Sequence, residues 1–207
     1  MLRLLLVAND NGDMNAPYVT PVPARHRHPV RRAGALLALS ILVTLTGAAP
    51  ATAVPSPNVP PSLVVPAGNV LYLVGHARGY QIYVCQPQPG GGYAWVLQAP
   101  WAGLVDDSGR WVALHYGGPS WRAPDNSVIV AARVAGSPAP SSTAIPWLLL
   151  SVTSRSGPPG GLFSATTYIQ RINTTGGLAP AAGCDAAHVG ALAPVFYTAD
   201  YYFYRAG

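Results

Sequence analysis

From residue 69 to the end, apolar and polar positions alternate with a period of two, in short runs broken by glycine and proline. That period marks half-buried β-strands, and the breaks mark turns. The stretch Gly79-Tyr80-Gln81-Ile82-Tyr83-Val84-Cys85 sets the pattern: Gln81, Tyr83 and Cys85 share one face, Ile82 and Val84 the other. Strands are expected over 69–75, 79–86, 93–98, 110–116, 127–134, 147–153, 164–173 and 197–205. In 110–116, Val112, Leu114 and Tyr116 fall on one face and Trp111, Ala113 and His115 on the other. The run Trp-Leu-Leu-Leu at 147–150 is apolar at every position and predicts burial on both faces. The aromatic run 197–204 reads as packing on one face and a row of phenols toward water on the other. No sustained amphipathic helix is present, and 186–192 offers one turn at most. About eight short strands between Gly/Pro loops predict an all-β, single-domain sandwich or barrel. Spacing alone does not choose between the two.

The first quarter of the chain does not share this pattern. Arg31 and Arg32 precede an apolar run over 33–47, and Ala51-Thr52-Ala53 follows as a small-residue exit. A positive flank, a short apolar core and an A-x-A site make a secretory signal peptide. The run falls short of the roughly 20 residues a membrane span needs, so membrane contact is expected only through an uncleaved leader. The residues usual after a twin-arginine motif are missing, which favours the general export route. The leader is long before its arginines, and Met14 is a candidate start. Residues 1–53 are thus read as extension and signal peptide, 54–66 as an extended Pro-rich linker or edge segment with five prolines, and 67–207 as the β domain.

Export changes the meaning of the charge. The whole chain carries +5, but beyond residue 53 seven Arg face five Asp, a net of +2, with no Lys and no Glu. No basic run survives, so nucleic acid is not an expected partner. Two cysteines in an oxidising compartment most simply form one bond, Cys85 to Cys184. The expected location is secreted or cell-envelope, outside the cytoplasm.

Catalytic and metal chemistry find little support. With no Glu, a carboxylate pair would have to come from five Asp, and the adjacent Asp106 and Asp107 lie in a turn and point apart. A Gly-x-Ser-x-Gly nucleophile elbow is absent. His76, His115 and His188 have neither helical nor hairpin ligand spacing, so no metal site is expected. The cluster 111–125 offers the best binding candidates: Trp111, His115, Tyr116, Trp121 and Asp125 around a Gly-Gly-Pro turn. Aromatics and a histidine there can hold a sugar ring or an acyl group. They can equally close the end of a β shell.

Several of these motifs occur together elsewhere. Gly79-x-Gln81-Ile82-Tyr83-x-Cys85, Tyr93-x-Trp95, His115-Tyr116-x-Gly118-Pro119-x-Trp121, Ile145-Pro146-Trp147, Tyr168-Ile169-Gln170-Arg171, Gly183-Cys184-Asp185 and Tyr197-Thr198-Ala199-Asp200-Tyr201-Tyr202-Phe203 resemble domain-of-unknown-function family 3455, exported single domains of bacteria and fungi. One departure is Asn126, where the family tends to have glycine. The resemblance implies export and a β-rich fold, and no activity. A malate dehydrogenase label attached to some members does not fit this chain: it has no Gly-x-Gly-x-x-Gly between a strand and a helix, and no βαβ alternation. No cofactor is expected. The sequence therefore reads as an exported, disulfide-clamped, non-catalytic β domain binding a small molecule or an envelope component. The alternative is a small secreted hydrolase assembled around His115 and Asp125.

Overall fold

The computed structural model describes residues 55–207, so the leader and its cleavage site lie outside the described residues. Eight strands follow one another: β1 Asn69–Pro87, β2 Tyr93–Val105, β3 Trp111–Tyr116, β4 Ser120–Arg122, β5 Val128–Ser137, β6 Trp147–Ser156, β7 Thr166–Gly176 and β8 Leu192–Ala206. Each pairs antiparallel with the next, and β8 returns to pair with β1, closing a barrel. Closure leaves no sheet edge where ladders are continuous. The choice that strand spacing left open falls to the barrel.

The strands expected at 69–75 and 79–86 are one strand. His76, Ala77 and Arg78 between them are paired on both sides, with Val105–Gly103 of β2 and Asp200–Thr198 of β8. Two glycines let the neighbours approach: a Cβ on Gly79 would lie 2.2 Å from the Trp101 carbonyl oxygen, and one on Gly75 2.9 Å from the Leu104 side chain. The Gln81, Tyr83 and Cys85 face points inward, as the alternation requires. The eighth strand is β4, three residues inside the segment read as a break after Tyr116. It is too short for a period-two signal.

The interior is packed with small and aromatic residues. Ala77, Ala102, Ala113, Ala131 and Ala199 make room for Trp121, Tyr201, Phe203 and Leu104. Phe163, from the β6–β7 connection, is fully buried, and its ring lies 5.1 Å from that of Phe203. That contact fills the lower end, where the β2–β3, β4–β5 and β6–β7 connections lie.

The opposite, upper end is bound covalently. Cys85 near the top of β1 is bonded to Cys184 in the β7–β8 connection, with Cα atoms 5.3 Å apart. Such a bond is compatible with an extracytoplasmic location.

The Pro-rich segment before β1 lies against the barrel wall. It makes a 3-10 turn at Pro61–Leu63, packed against β5 and β6, and Leu63 is fully buried. Leu148 and Leu150 line the interior, so Leu149 between them faces outward, opposite Gln170 of β7. Gln170 Nε2 donates to the Leu63 carbonyl at 2.7 Å, and Tyr204 Oη donates to Gln170 Oε1 at 2.6 Å. Leu149, Gln170 and Tyr204 are all buried under this strap, although they sit on the outer face. That is the physical origin of the continuous apolar run in β6. It also places Tyr204 away from water, while Tyr197, Tyr201 and Phe203 are buried inside.

Candidate functional site

The wall has a gap at the upper end. β2 pairs with β1 from Tyr93 to Val105, but with β3 only from Ala102 to Val105. β4 covers only Val128–Val130 of the longer β5. Above that level, no strand among the described residues joins β2 to β5, and the β3–β4 turn forms the base of the notch. Pro100 sits where β2 pairs with β1 but has no partner on its β3 side, a place that tolerates a residue without an N–H.

Behind the notch lies a cavity of about 240 Å³, and its polar wall is Gln81, His115, Trp121, Arg171 and Tyr201, with Gln98 of β2. Leu148, Leu150 and side chains of β2 and the β3–β4 turn make the apolar wall. An eight-stranded barrel has an interior of the size to be filled by side chains or to hold one small ligand. Here it does some of each.

His115 and Trp121 are cross-strand partners on β3 and β4, so both face inward. Their rings stack, centroids 4.3 Å apart and planes 9° from parallel, and Tyr201 meets both edge-on at 5.1 and 5.5 Å. His115 Nδ1 donates to the Ser120 carbonyl at 2.9 Å. Burial pushes its pKa down to about 3; the Ser120 hydrogen bond opposes this, and the Arg171 charge adds to it. The ring is therefore neutral at pH 7, with its proton on Nδ1 and a lone pair on Nε2.

Three buried donors of these residues, Gln81 Nε2, Trp121 Nε1 and Arg171 Nε, have no partner at ordinary hydrogen-bond geometry, nor has Trp147 Nε1, away from the cavity. Gln81 and Arg171 also lie close enough to the Tyr197 and Tyr201 phenols to oppose the burial that raises their pKa values. An unmet buried donor costs about 1–3 kcal/mol, so three on residues lining one small cavity is a concentration that calls for a partner. Arg171 reaches the cavity from β7, opposite Leu148 on one side and Tyr201 on the other. One terminal nitrogen donates to the Pro146 carbonyl at 2.8 Å. Its charge bears on the buried neighbours, lowering His115 and opposing the desolvation that raises Tyr83, Tyr197 and Tyr201.

No carboxylate among the described residues lies within ion-pair distance of that guanidinium. The five Asp among the described residues are committed elsewhere: Asp106 to Arg110 and Ser108, Asp107 to His76, Asp125 to Ser127 and Leu162, Asp185 to His188, and Asp200 to His76 and Asn173. A half-buried cation in an apolar wall is left without an anion.

Of the five binding candidates read from the sequence, the structure brings His115 and Trp121 together in the cavity. Tyr116 is half-buried on the outer face, beside Ser120 of β4. Trp111 does not share the face of His115, because Val105 pairs with Trp111 and Leu104 with Ala113. The extra residue, Val112, is a β-bulge that turns Trp111 outward. There it is 49 % exposed and lies over Gly103, on the wall that also carries Trp101, Tyr80 and Phe196. Asp125 lies in the β4–β5 turn at the lower end, accepting hydrogen bonds from Ser127 N, Ser127 Oγ and Leu162 N at 2.8, 2.6 and 2.6 Å. It staples two lower connections together, and no hydrogen bond joins it to His115.

The residues not singled out are Gln81, Arg171 and Tyr201. Gln81 carried a signal, a polar residue on the inward face of the most regular strand. Arg171 carried one too, in phase with Ile169 on β7.

A second cluster sits on the outside. His76 Nδ1 and Nε2 lie 2.7 Å from Asp200 and 2.7 Å from Asp107, and Asn173 donates to the other Asp200 oxygen at 2.8 Å. Among the described residues no set of three His, Cys, Asp or Glu is arranged to hold a metal ion. The hydrogen bonds to Asp107 and Asp200 raise the pKa of His76. A raised folded value gives stability that is present below about pH 6.5 and lost as pH rises through it. With this side chain 40 % exposed the effect belongs to the range of surface pairs, under about 1 kcal/mol. Unfolding of the protein and of His76→Gln at pH 6 and pH 9 should show the difference between them shrinking at the higher pH and in high salt.

The model of the family described as a protein of unknown function, DUF3455, matches residues 66–205, from before β1 to the last but one residue of β8. No curated protein and no solved structure is similar enough to match.

Proposed function

The chain belongs to the DUF3455 family, and from that premise and the cavity above we propose that it is a binding protein whose barrel takes one small, largely apolar molecule through the notch between β2 and the β3–β4 turn. The observation that carries the reading is a mostly apolar cavity backed by buried donors without a partner, Gln81 Nε2, Trp121 Nε1 and Arg171 Nε. A cavity with a few placed polar groups in an apolar lining is the usual form of a small-molecule site. At about 240 Å³ it falls just under the roughly 300–1,000 Å³ of drug-sized sites, which points to a compact ligand.

Binding accounts for the site better than hydrolysis does. A general base works best with a pKa near the operating pH, and burial holds His115 at about 3. Its Nδ1–H is spent on a backbone carbonyl, where a triad would have a carboxylate. The leader motif and the Cys85–Cys184 bond support a protein that works outside the cytoplasm, with an envelope or extracellular molecule as its ligand.

The test uses neutral probes. Benzyl alcohol and 1-hexanol should raise the thermal midpoint saturably and shift the NMR signals of the His115 and Trp121 rings. Ala99→Phe, which puts a ring at the cavity mouth, should remove both responses while leaving the protein folded. Equal responses in that variant, or none in the unmodified protein, would rule the cavity out as a binding site.

A further inference from the structure

We propose that the ligand is a monocarboxylate with a compact apolar body, its carboxylate paired with the Arg171 guanidinium. The inference rests on the cavity being a binding site and concerns what the site selects.

All three unmet groups are donors. With only donors unmet behind it, this wall favours an acceptor over a donor, and a carboxylate brings two oxygens with about four lone-pair directions. Gln81 and Trp121 are each at least 98 % buried, so bulk solvent does not reach them freely. The charge balance points the same way. Arg171 is always protonated, and the described residues give it no counter-ion. A guanidinium pairs with a planar carboxylate through parallel hydrogen bonds, stronger than bonds between neutral groups. The nearby tyrosines cannot supply the negative charge, because desolvation raises Tyr83, Tyr197 and Tyr201 above their ordinary values.

The charge should be single. A phosphate monoester carries about −1.5 to −2 at pH 7 and three acceptor oxygens. The cavity offers one cation, and the neutral His115 presents a lone pair on Nε2, which repels further anionic oxygens. A dicarboxylate fails on the same count, since no second cation lines the cavity.

The experiment compares isosteres on the unmodified protein by calorimetry or ligand-observed NMR. Benzoate and hexanoate should bind at least about tenfold more tightly than benzamide and hexanamide, and hexanoate more tightly than hexyl phosphate. Arg171→Met should weaken the two carboxylates about 10- to 100-fold, the range expected for a hydrogen bond to a charged group. The same change should weaken hexanamide by a smaller factor, because the amide brings no charge, and Arg171→Lys should restore part of the carboxylate affinity. The isostere comparison stands even if the Arg171 variants fold poorly. Amides binding as tightly as the acids, or the phosphate binding best, would overturn the carboxylate assignment while leaving the cavity a binding site. If neither acids, amides nor the neutral alcohols bind, both readings fall together.

Discussion

Replacing Cys85 and Cys184 by serine together should lower the free energy of unfolding by about 4–5 kcal/mol. The bond closes a sequence separation of 99 residues, and in the chain-entropy model a loop of that length, once opened, frees about 4.7 kcal/mol of disorder in the unfolded chain. A domain of ordinary stability has only about 5–15 kcal/mol to lose. Local structure around the bond sets how much of that is realised. Cys85 N–H donates to the Ala191 carbonyl at 3.0 Å, and Gly190 N–H donates to the Cys85 carbonyl at 2.9 Å. Trp95 Nε1 donates to the Ala182 carbonyl at 2.9 Å, and Tyr83 Oη to that of Gly177 at 2.6 Å. These bonds hold the β7–β8 connection over the upper end of β1 and β2 in the native state. They do nothing for the unfolded chain, where the covalent constraint acts. Urea unfolding of the double-serine variant should therefore give a much lower midpoint and a larger dependence on denaturant, since the uncrosslinked chain exposes more surface. A free energy of unfolding within about 0.5 kcal/mol of the unmodified protein would show that the bond contributes nothing beyond its neighbours.

The disulfide was legible in the sequence because two cysteines leave one pairing. Strand number was legible for a weaker reason, since one expected pair merged and one unexpected strand appeared. The merger at His76–Arg78 depends on ladders from β2 and β8, and a single-chain pattern does not contain its cross-strand partners. β4 is three residues long and gains its identity from His115 and Ile129 on either side. The strap shows the same limit. Proline density in 55–66 describes an extended backbone well, but not that Leu63 would be buried against the wall and bonded to Gln170.

The site shows where alternation succeeds and fails. For Gln81 and Cys85 it gave the inward face. For Trp111 it gave the wrong face, because one bulge at Val112 reverses every side chain beyond it. The cluster 111–125 was assembled by proximity in sequence, and the chain spends those residues on three places: the outer wall, the cavity, and the lower turn that holds Asp125. Arg171 comes from a strand more than fifty residues away in sequence from His115, and only closure of the barrel puts both in one wall.

Acid should destabilise the protein well before its carboxylates titrate, and His115 should be the reason. Its folded pKa lies at about 3, below the roughly 6.5 of an exposed histidine, so the unfolded chain takes up a proton that the folded chain refuses. Stability is then whole above about pH 6.5 and falls with pH by about 1.4 kcal/mol per unit, until the folded ring also protonates. Between pH 6.5 and 4.5 the loss should be about 2–3 kcal/mol. Other displaced groups act outside that window. Asp106, Asp125 and Asp185 have lowered values, so their stabilisation is present above the ordinary carboxylate range and is lost only as pH falls through their folded values. His76 has a raised value, and its change lies at higher pH. Unfolding free energies at the two pH values should differ by that amount in the unmodified protein and by much less in His115→Gln, whose amide can still donate to the Ser120 carbonyl. An unchanged pH slope in the variant would mean that protons can reach the ring in the native state. A monocarboxylate in the cavity should reduce the slope, because its negative charge beside Arg171 offsets the cation that helps hold His115 neutral.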